Sequence, residues 1–219
     1  MTDETYQVRR ATLDESDARR LGKWASLWAD LTHADMTLSG RAGLPDIPSN
    51  VSVRRALWES AVVSYGRMAT SDKRNVDYEE LVKAARGDRG TELHKILMEW
   101  RHDHVAHRKS RDLETVNIYA DYLNSDPDVL DSIRVHVTSS GGPPADSPFA
   151  VEFAEHVKAL RDTVWVNYLA PIAELIATRT PRSSTVSVEP ETTHALIIEQ
   201  ILWSRTNGTG IADALKSTS

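Results

Sequence analysis

"ELHKILMEWRHDHVAHRKSRD", residues 92 to 112, decides how this chain is read. Its first half sets Leu93, Ile96, Leu97 and Trp100 three and four residues apart, the spacing of one face of an α-helix. Wound at about 100° per residue, His104 and His107 continue that face. Three of the eight histidines fall between positions 102 and 107, with Arg101 before them and Arg108 after. Histidine is the side chain that titrates nearest physiological pH. Such a cluster therefore points to a metal site, to proton transfer, or to a helix end meeting water.

The flanking sequence repeats the helical period. Leu21, Trp24, Trp28 and Leu31 mark a helix over 14–35, which Asp14 or Ser16 can cap. A loop rich in Gly and Pro follows at 39–50. Val53, Leu57, Ala61, Tyr65 and Met68 describe the next helix, and "DYEELVKAAR" a shorter one that stops at Gly87. The histidine helix then runs over 90–107. "SIRVHVT" alternates Ile133, Val135 and Val137 and reads as one short strand. Phe149, Phe153, Val157, Leu160, Val164 and Tyr168 trace a long amphipathic helix. Pro171 should kink or restart it, because proline lacks the backbone donor. Residues 180–193 read as a loop and 194–205 as a last helix. The expected fold is all-α, a bundle of five to seven helices with at most a minor β element. Residues 1–138 form the core, 139–148 ("SSGGPPADSP") a linker, and 149–219 the helices that complete the bundle or a dimer interface. Tryptophans 24, 28, 58, 100, 165 and 203 are spread over different helices and read as core side chains.

Composition narrows the chemistry. With 219 residues, 40% of them hydrophobic, the chain can bury a core, and its 26% charged residues are ordinary for a soluble domain. It has no cysteine, which removes disulfides, thiolate nucleophiles and Cys-ligated metals. No run of 18 apolar residues is present and the N-terminus "MTDETYQVRR" is polar, so a cytoplasmic protein without a membrane span is expected. A net charge of −6 argues against coating nucleic acid through the bulk field. The cations, however, are 19 arginines against seven lysines, and guanidinium forks bind phosphate locally.

Metal readings of the cluster are weak. "HDHVAH" lacks the aspartate of the H-x-H-x-D-H hydrolase signature, carrying Ala106 there, and it lies on a helix. Glu99-x-x-His102 and Glu191-x-x-His194 have the spacing of a di-metal carboxylate bundle, but two such pairs hardly exceed chance. Neither a metal nor a cofactor is expected. Arg101 and His107 form an Arg-x5-His pair, and Arg89 with His94 a second that reads as accidental. On a straight helix Arg101 and His107 sit about 120° apart and roughly 9 Å along the axis. They can cooperate only across a kink or where two copies meet about a twofold axis. An imidazole and a guanidinium suffice to cleave RNA, since the nucleophile is the substrate's own 2′-hydroxyl.

"LMEWRHDHVAHRKSRDLE" resembles the motif helix of the HEPN superfamily, in its branch associated with abortive infection, and "RRALWESAVVSYGRM" followed by "DKR" resembles the helix before it. The resemblance spans residues 50–125. It implies a HEPN-like helical core and a metal-independent endoribonuclease in a prokaryotic defence or toxin–antitoxin setting. The catalytic pair would be Arg101 and His107, with His102, His104 and Arg108 touching substrate. The partners would be RNA, a second copy of the chain and an antitoxin protein. His102 stands where the family usually has Asn or Asp. The alternative is a catalytically silent HEPN-like module that binds a protein or nucleic acid.

Overall fold

A computed structural model describes residues 6–10, 13, 15–70, 76–106, 113–179, 184–188 and 200–205. In chain order the elements are β1 (Tyr6–Arg10), α1 (Glu15–Ala42), α2 (Val51–Thr70), α3 (Tyr78–Glu99), β2 (Glu114–Leu123), β3 (Asp126–Ser139), α4 (Pro148–Val164), α5 (Ala170–Ala177) and β4 (Ser184–Val188). Two π-helical turns, Trp100–Ala106 and Trp165–Leu169, follow α3 and α4 directly. The described chain is predominantly helical. It forms two compact units, residues 29–161 and residues 1–28 with 162–219.

Local chemistry sets the helix limits in the 29–161 unit. Asp77 caps α3, its carboxylate accepting the Glu80 amide at 3.0 Å, with Glu79 and Glu80 in the first turn. Ser147 caps α4 by accepting the Ala150 amide, and Pro148 occupies the first turn, where its missing N–H is harmless. The expected break at Gly87 is present as a kink inside α3. Gly87 adopts φ 58° and ψ −149°, a conformation closed to residues with a Cβ. Leu31, Ala34 and Leu38 of α1, Trp58, Ala61, Val62, Tyr65 and Met68 of α2, Leu93 and Leu97 of α3, and Phe153, Val157 and Leu160 of α4 are buried. The α2 stripe turns slightly from the expected one: Val53 is exposed and Arg54 is buried.

Two buried arginines pin loops to this core. Arg54 donates to the carbonyls of Leu44 (2.5 Å) and Arg41 (3.4 Å) and meets Asp46 at 3.3 Å. Arg41 donates to the carbonyls of Arg54, Gly141 and Pro143, and its guanidinium lies over the Trp58 ring. Burial and the neighbouring Arg54 charge lower the Arg41 pKa. These carbonyl contacts tie the Gly–Pro segment between β3 and α4 to α1.

The expected strand at 133–137 is the middle of β3, and its partner β2 was not anticipated. The two form an antiparallel hairpin pairing Val116 with Val137, Ile118 with Val135 and Ala120 with Ile133. Arg55 of α2 anchors its base through Glu114 and the Ser139 hydroxyl, each at 3.0 Å.

In the second unit Trp24 stacks on Tyr168, Trp28 meets Trp165 at a tilt, and Arg179 pairs with Asp17 at 2.5 Å. Pro171 has no N–H to offer the Asn167 carbonyl, and there the π turn gives way to α5, the restart expected from sequence. Two sequence readings need correction here. Within the expected loop at 180–193, residues 184–188 are β4, which pairs antiparallel with β1. In the expected last helix, residues 194–199 lie outside the described set and 200–205 are not helical. Of the tryptophans, 24, 58 and 165 are buried, 28 and 100 half-buried, and 203 exposed.

Candidate functional site

The described part of the arginine–histidine motif, Arg101 to Ala106, occupies the π-helical turn at 100–106, which continues α3 without a gap. A π turn widens the helix and re-aims every side chain after it, a distortion that recurs at functional sites. Trp100 begins the turn. Its ring packs edge-on to Trp58 (5.5 Å between centroids) and nearly parallel to Phe149. His104 stacks on the other end of this ladder, its ring 4.0 Å from that of Trp100 at an interplanar angle of 15°. The imidazole orientation is therefore set by an aromatic face one turn back.

Arg101 is half-buried, and its stem crosses α2 at Gly66. A Cβ built on Gly66 would lie 2.0 Å from Arg101 Cδ and 2.5 Å from Nε, so only glycine leaves the groove this side chain occupies. Among the described residues no carboxylate takes the Arg101 guanidinium in an ion pair. His102 is exposed, its Nε2 3.9 Å from the Asp103 carboxylate. His107 and Arg108 lie outside the described residues. The structure thus brings Arg101, His102 and His104 onto one widened turn. Among the described residues no group of three or more His, Asp or Glu side chains is placed to hold a metal ion.

The second Arg–His spacing has a different fate. Arg89 grips Glu152 of α4 with both arms, each at 2.6 Å, and also reaches Glu92. His94 instead binds the Tyr65 hydroxyl through Nδ1 at 2.7 Å, and the same hydroxyl lies 3.0 Å from Nε2 of His156. His156 is fully buried, and among the described residues its Nδ1 has no hydrogen-bond partner. An orphaned buried N–H costs more than an unused lone pair on that nitrogen, so the proton belongs on Nε2. His156 Nε2–H then donates to the Tyr65 oxygen, and Tyr65 O–H donates to His94 Nδ1. Desolvation, reinforced by Arg86 and His94, pushes the His156 pKa down to about 4. Burial lowers that of His94 against the opposing charge of Glu79. Burial likewise raises the Tyr65 pKa.

Sequence reasoning missed this His–Tyr–His chain and the role of Gly66. A signal for the former existed. His156 falls three residues after Phe153 and one before Val157, on the apolar stripe of its helix, where a histidine must find an internal partner.

A second concave feature lies in the other unit. It is an apolar groove of about 550 Å³ lined by Leu21, Ala173, Ile176, Ile201 and Trp203, among others, and among the described residues no titratable side chain lines it. No family model, no curated protein and no solved structure matches the chain.

Proposed function

We propose that the chain is a metal-independent endoribonuclease of the HEPN type, acting in a prokaryotic defence or toxin–antitoxin setting, with Arg101 and His107 as its catalytic pair. The observation that carries this reading is the seat of Arg101. Its stem is held by Gly66 and its guanidinium is not consumed by a carboxylate among the described residues, unlike Arg55, Arg86 and Arg89. A held but uncommitted guanidinium is suited to a phosphate.

The chemistry follows from these groups. Neutral His107 removes the proton from a ribose 2′-hydroxyl, whose oxygen attacks the adjacent phosphorus. Negative charge builds on the non-bridging oxygens, where Arg101 donors stabilise it. The bond to the 5′-oxygen breaks, that oxygen takes a proton from an imidazolium, and a 2′,3′-cyclic phosphate remains. His104, oriented by Trp100, contacts the RNA together with the exposed His102, and Arg108 adds a further donor to phosphate.

The test is cleavage of diverse RNAs by the purified protein in EDTA. Products carrying 2′,3′-cyclic phosphate ends, abolished in Arg101→Ala and in His107→Ala, support the proposal. Undiminished cleavage in His107→Ala, or no cleavage by the unaltered protein, overturns it in favour of a silent binding module.

A further inference from the structure

Beyond its base, one face of the β2–β3 hairpin is an apolar row, and that row is in water. Directly opposed residues of an antiparallel pair share a face, so Val116/Val137, Ile118/Val135 and Ala120/Ile133 line one side. A bulge at Asp131 shifts the register so that Tyr122 and Leu130 extend the row. Ile118 is 71% exposed and Val135 66%, with the other large members close to or above half. The opposite face is polar, carrying Thr115, Asn117, Tyr119 and the Asp121–Arg134 ion pair at 2.5 Å. Beyond its anchored base the hairpin is exposed on both faces. An isolated two-stranded hairpin is marginal in water, and an apolar row of this length adds a further penalty.

From these facts we infer that the apolar hairpin face is the contact between two copies of this chain, packed face to face about a twofold axis perpendicular to the strands. Three considerations select that occupant and arrangement. The row presents roughly 700 Å² of apolar surface per copy, beyond the few hundred that a monomer ordinarily leaves in one patch. Doubled, it comes to about 1,400 Å², inside the range of specific interfaces. Pairing of strand edges alone would leave these side chains in water, whereas stacking the faces removes them and satisfies the self-complementarity that a twofold contact demands. Finally, the hairpin tip is acidic, with exposed Asp128 and Asp131. An axis perpendicular to the strands sends the two tips in opposite directions, so their charges stay apart. This inference rests on the hairpin alone and holds whether or not the chain cleaves RNA.

The chain contains no cysteine, which makes a single introduced thiol an unambiguous probe. Light scattering of the full-length protein at tens of micromolar is expected to give twice the chain mass. The double change Ile118→Asp with Val135→Asp should halve it while leaving the helical circular dichroism intact. Asn117→Asp on the polar face should change nothing. Val135→Cys, near the middle of the row, should be joined between chains by a short bis-maleimide, whose reach covers the roughly 10 Å between packed sheets that a disulfide cannot span, and Asn117→Cys should not. A wild-type monomer, or a dimer that survives the double aspartate change, overturns the inference. So does a Val135→Cys protein that fails to cross-link. Binding of the hairpin to a different protein or to lipid by a chain that stays monomeric would count against it equally.

Discussion

His156 makes the fold acid-sensitive, by an amount that can be worked out. The side chain is wholly inside, neutral, and donates through Nε2 to Tyr65. Its pKa in the fold is about 4, against an ordinary value of 6.5. The unfolded chain therefore binds a proton near pH 6.5 that the folded chain refuses until about pH 4. Stability is fully present above pH 6.5, falls as pH drops through that interval, and levels off once the folded form protonates too. At 1.36 kcal/mol per unit, the full interval removes about 3 kcal/mol, a sizeable share of the 5–15 kcal/mol that holds a typical domain. His94, whose pKa is also lowered, acts in the same direction.

The measurement is urea unfolding from pH 7.5 to 4.5, comparing wild type with His156→Leu. At pH 7.5 the variant should be weaker by about 1–2 kcal/mol, having lost the donor to Tyr65. As the pH falls, the wild type gives up its advantage at about one proton's slope, so the two unfolding free energies should converge or cross by pH 4.5. Ordinary carboxylates begin to titrate at the low end of that window, but they do so in both proteins, so the difference between the two isolates the buried imidazole. A gap between the two proteins that stays constant from pH 7.5 to 4.5 would falsify the assignment of His156 as a neutral buried donor.

The remaining expectations concern single residues. Gly66→Ala should leave stability within about 1 kcal/mol of wild type, because alanine is the better helix former. It should nevertheless lower the proposed RNA cleavage by roughly a hundredfold, since displacing Arg101 by an ångström is enough; equal losses in both would reduce Gly66 to packing. Gly87→Ala should do the reverse, costing about 1–3 kcal/mol in a urea melt for its strained backbone, and a neutral result would mean that the kink relaxes. Arg41→Lys should cost about 2 kcal/mol or more, since an ammonium cannot serve the carbonyls of Arg54, Gly141 and Pro143 together. Thermal melts that coincide with wild type would show those carbonyls finding other donors.

What could be read beforehand was what local chemistry dictates. Gly87 interrupts α3 and Pro171 restarts a helix, each for a reason contained in one residue's backbone, and the Gly–Pro linker expected at 139–148 gives way to α4 at Pro148. The β structure was harder. "ETVNIYADYL" alternates as cleanly as β3 does, with Val116, Ile118 and Tyr122 on one side. It lies just after the motif helix, inside the 50–125 span whose family resemblance implies helices, and that implication competes with its strand pattern. β1 and β4 could not be paired from sequence, because each is five residues long and Tyr6 finds Val188 across nearly the whole chain. Gly66 was invisible for a related reason. Its value lies in what crosses it, and Arg101 is 35 residues away in sequence. His94 and His156 were visible as histidines on or beside apolar stripes, but only the fold reveals the tyrosine between them.

The two Arg–His spacings show where the reach of a motif ends. By counting alone, Arg89 with His94 and Arg101 with His107 are equivalent. In the folded chain Arg89 is clamped by two carboxylates, and His94 is turned inward to a phenol. Each member is spent on holding α3 to α4 or to α2, and the pair has nothing left to offer a substrate. Arg101 is anchored differently, by shape rather than by charge. Its methylenes fill a groove that exists because position 66 lacks a side chain, and no carboxylate among the described residues neutralises its head. Steric anchoring costs a guanidinium none of its hydrogen-bond donors, whereas ionic anchoring uses them. For that reason the motif's arginine, and not its statistical twin twelve residues earlier, is the one able to meet a phosphate.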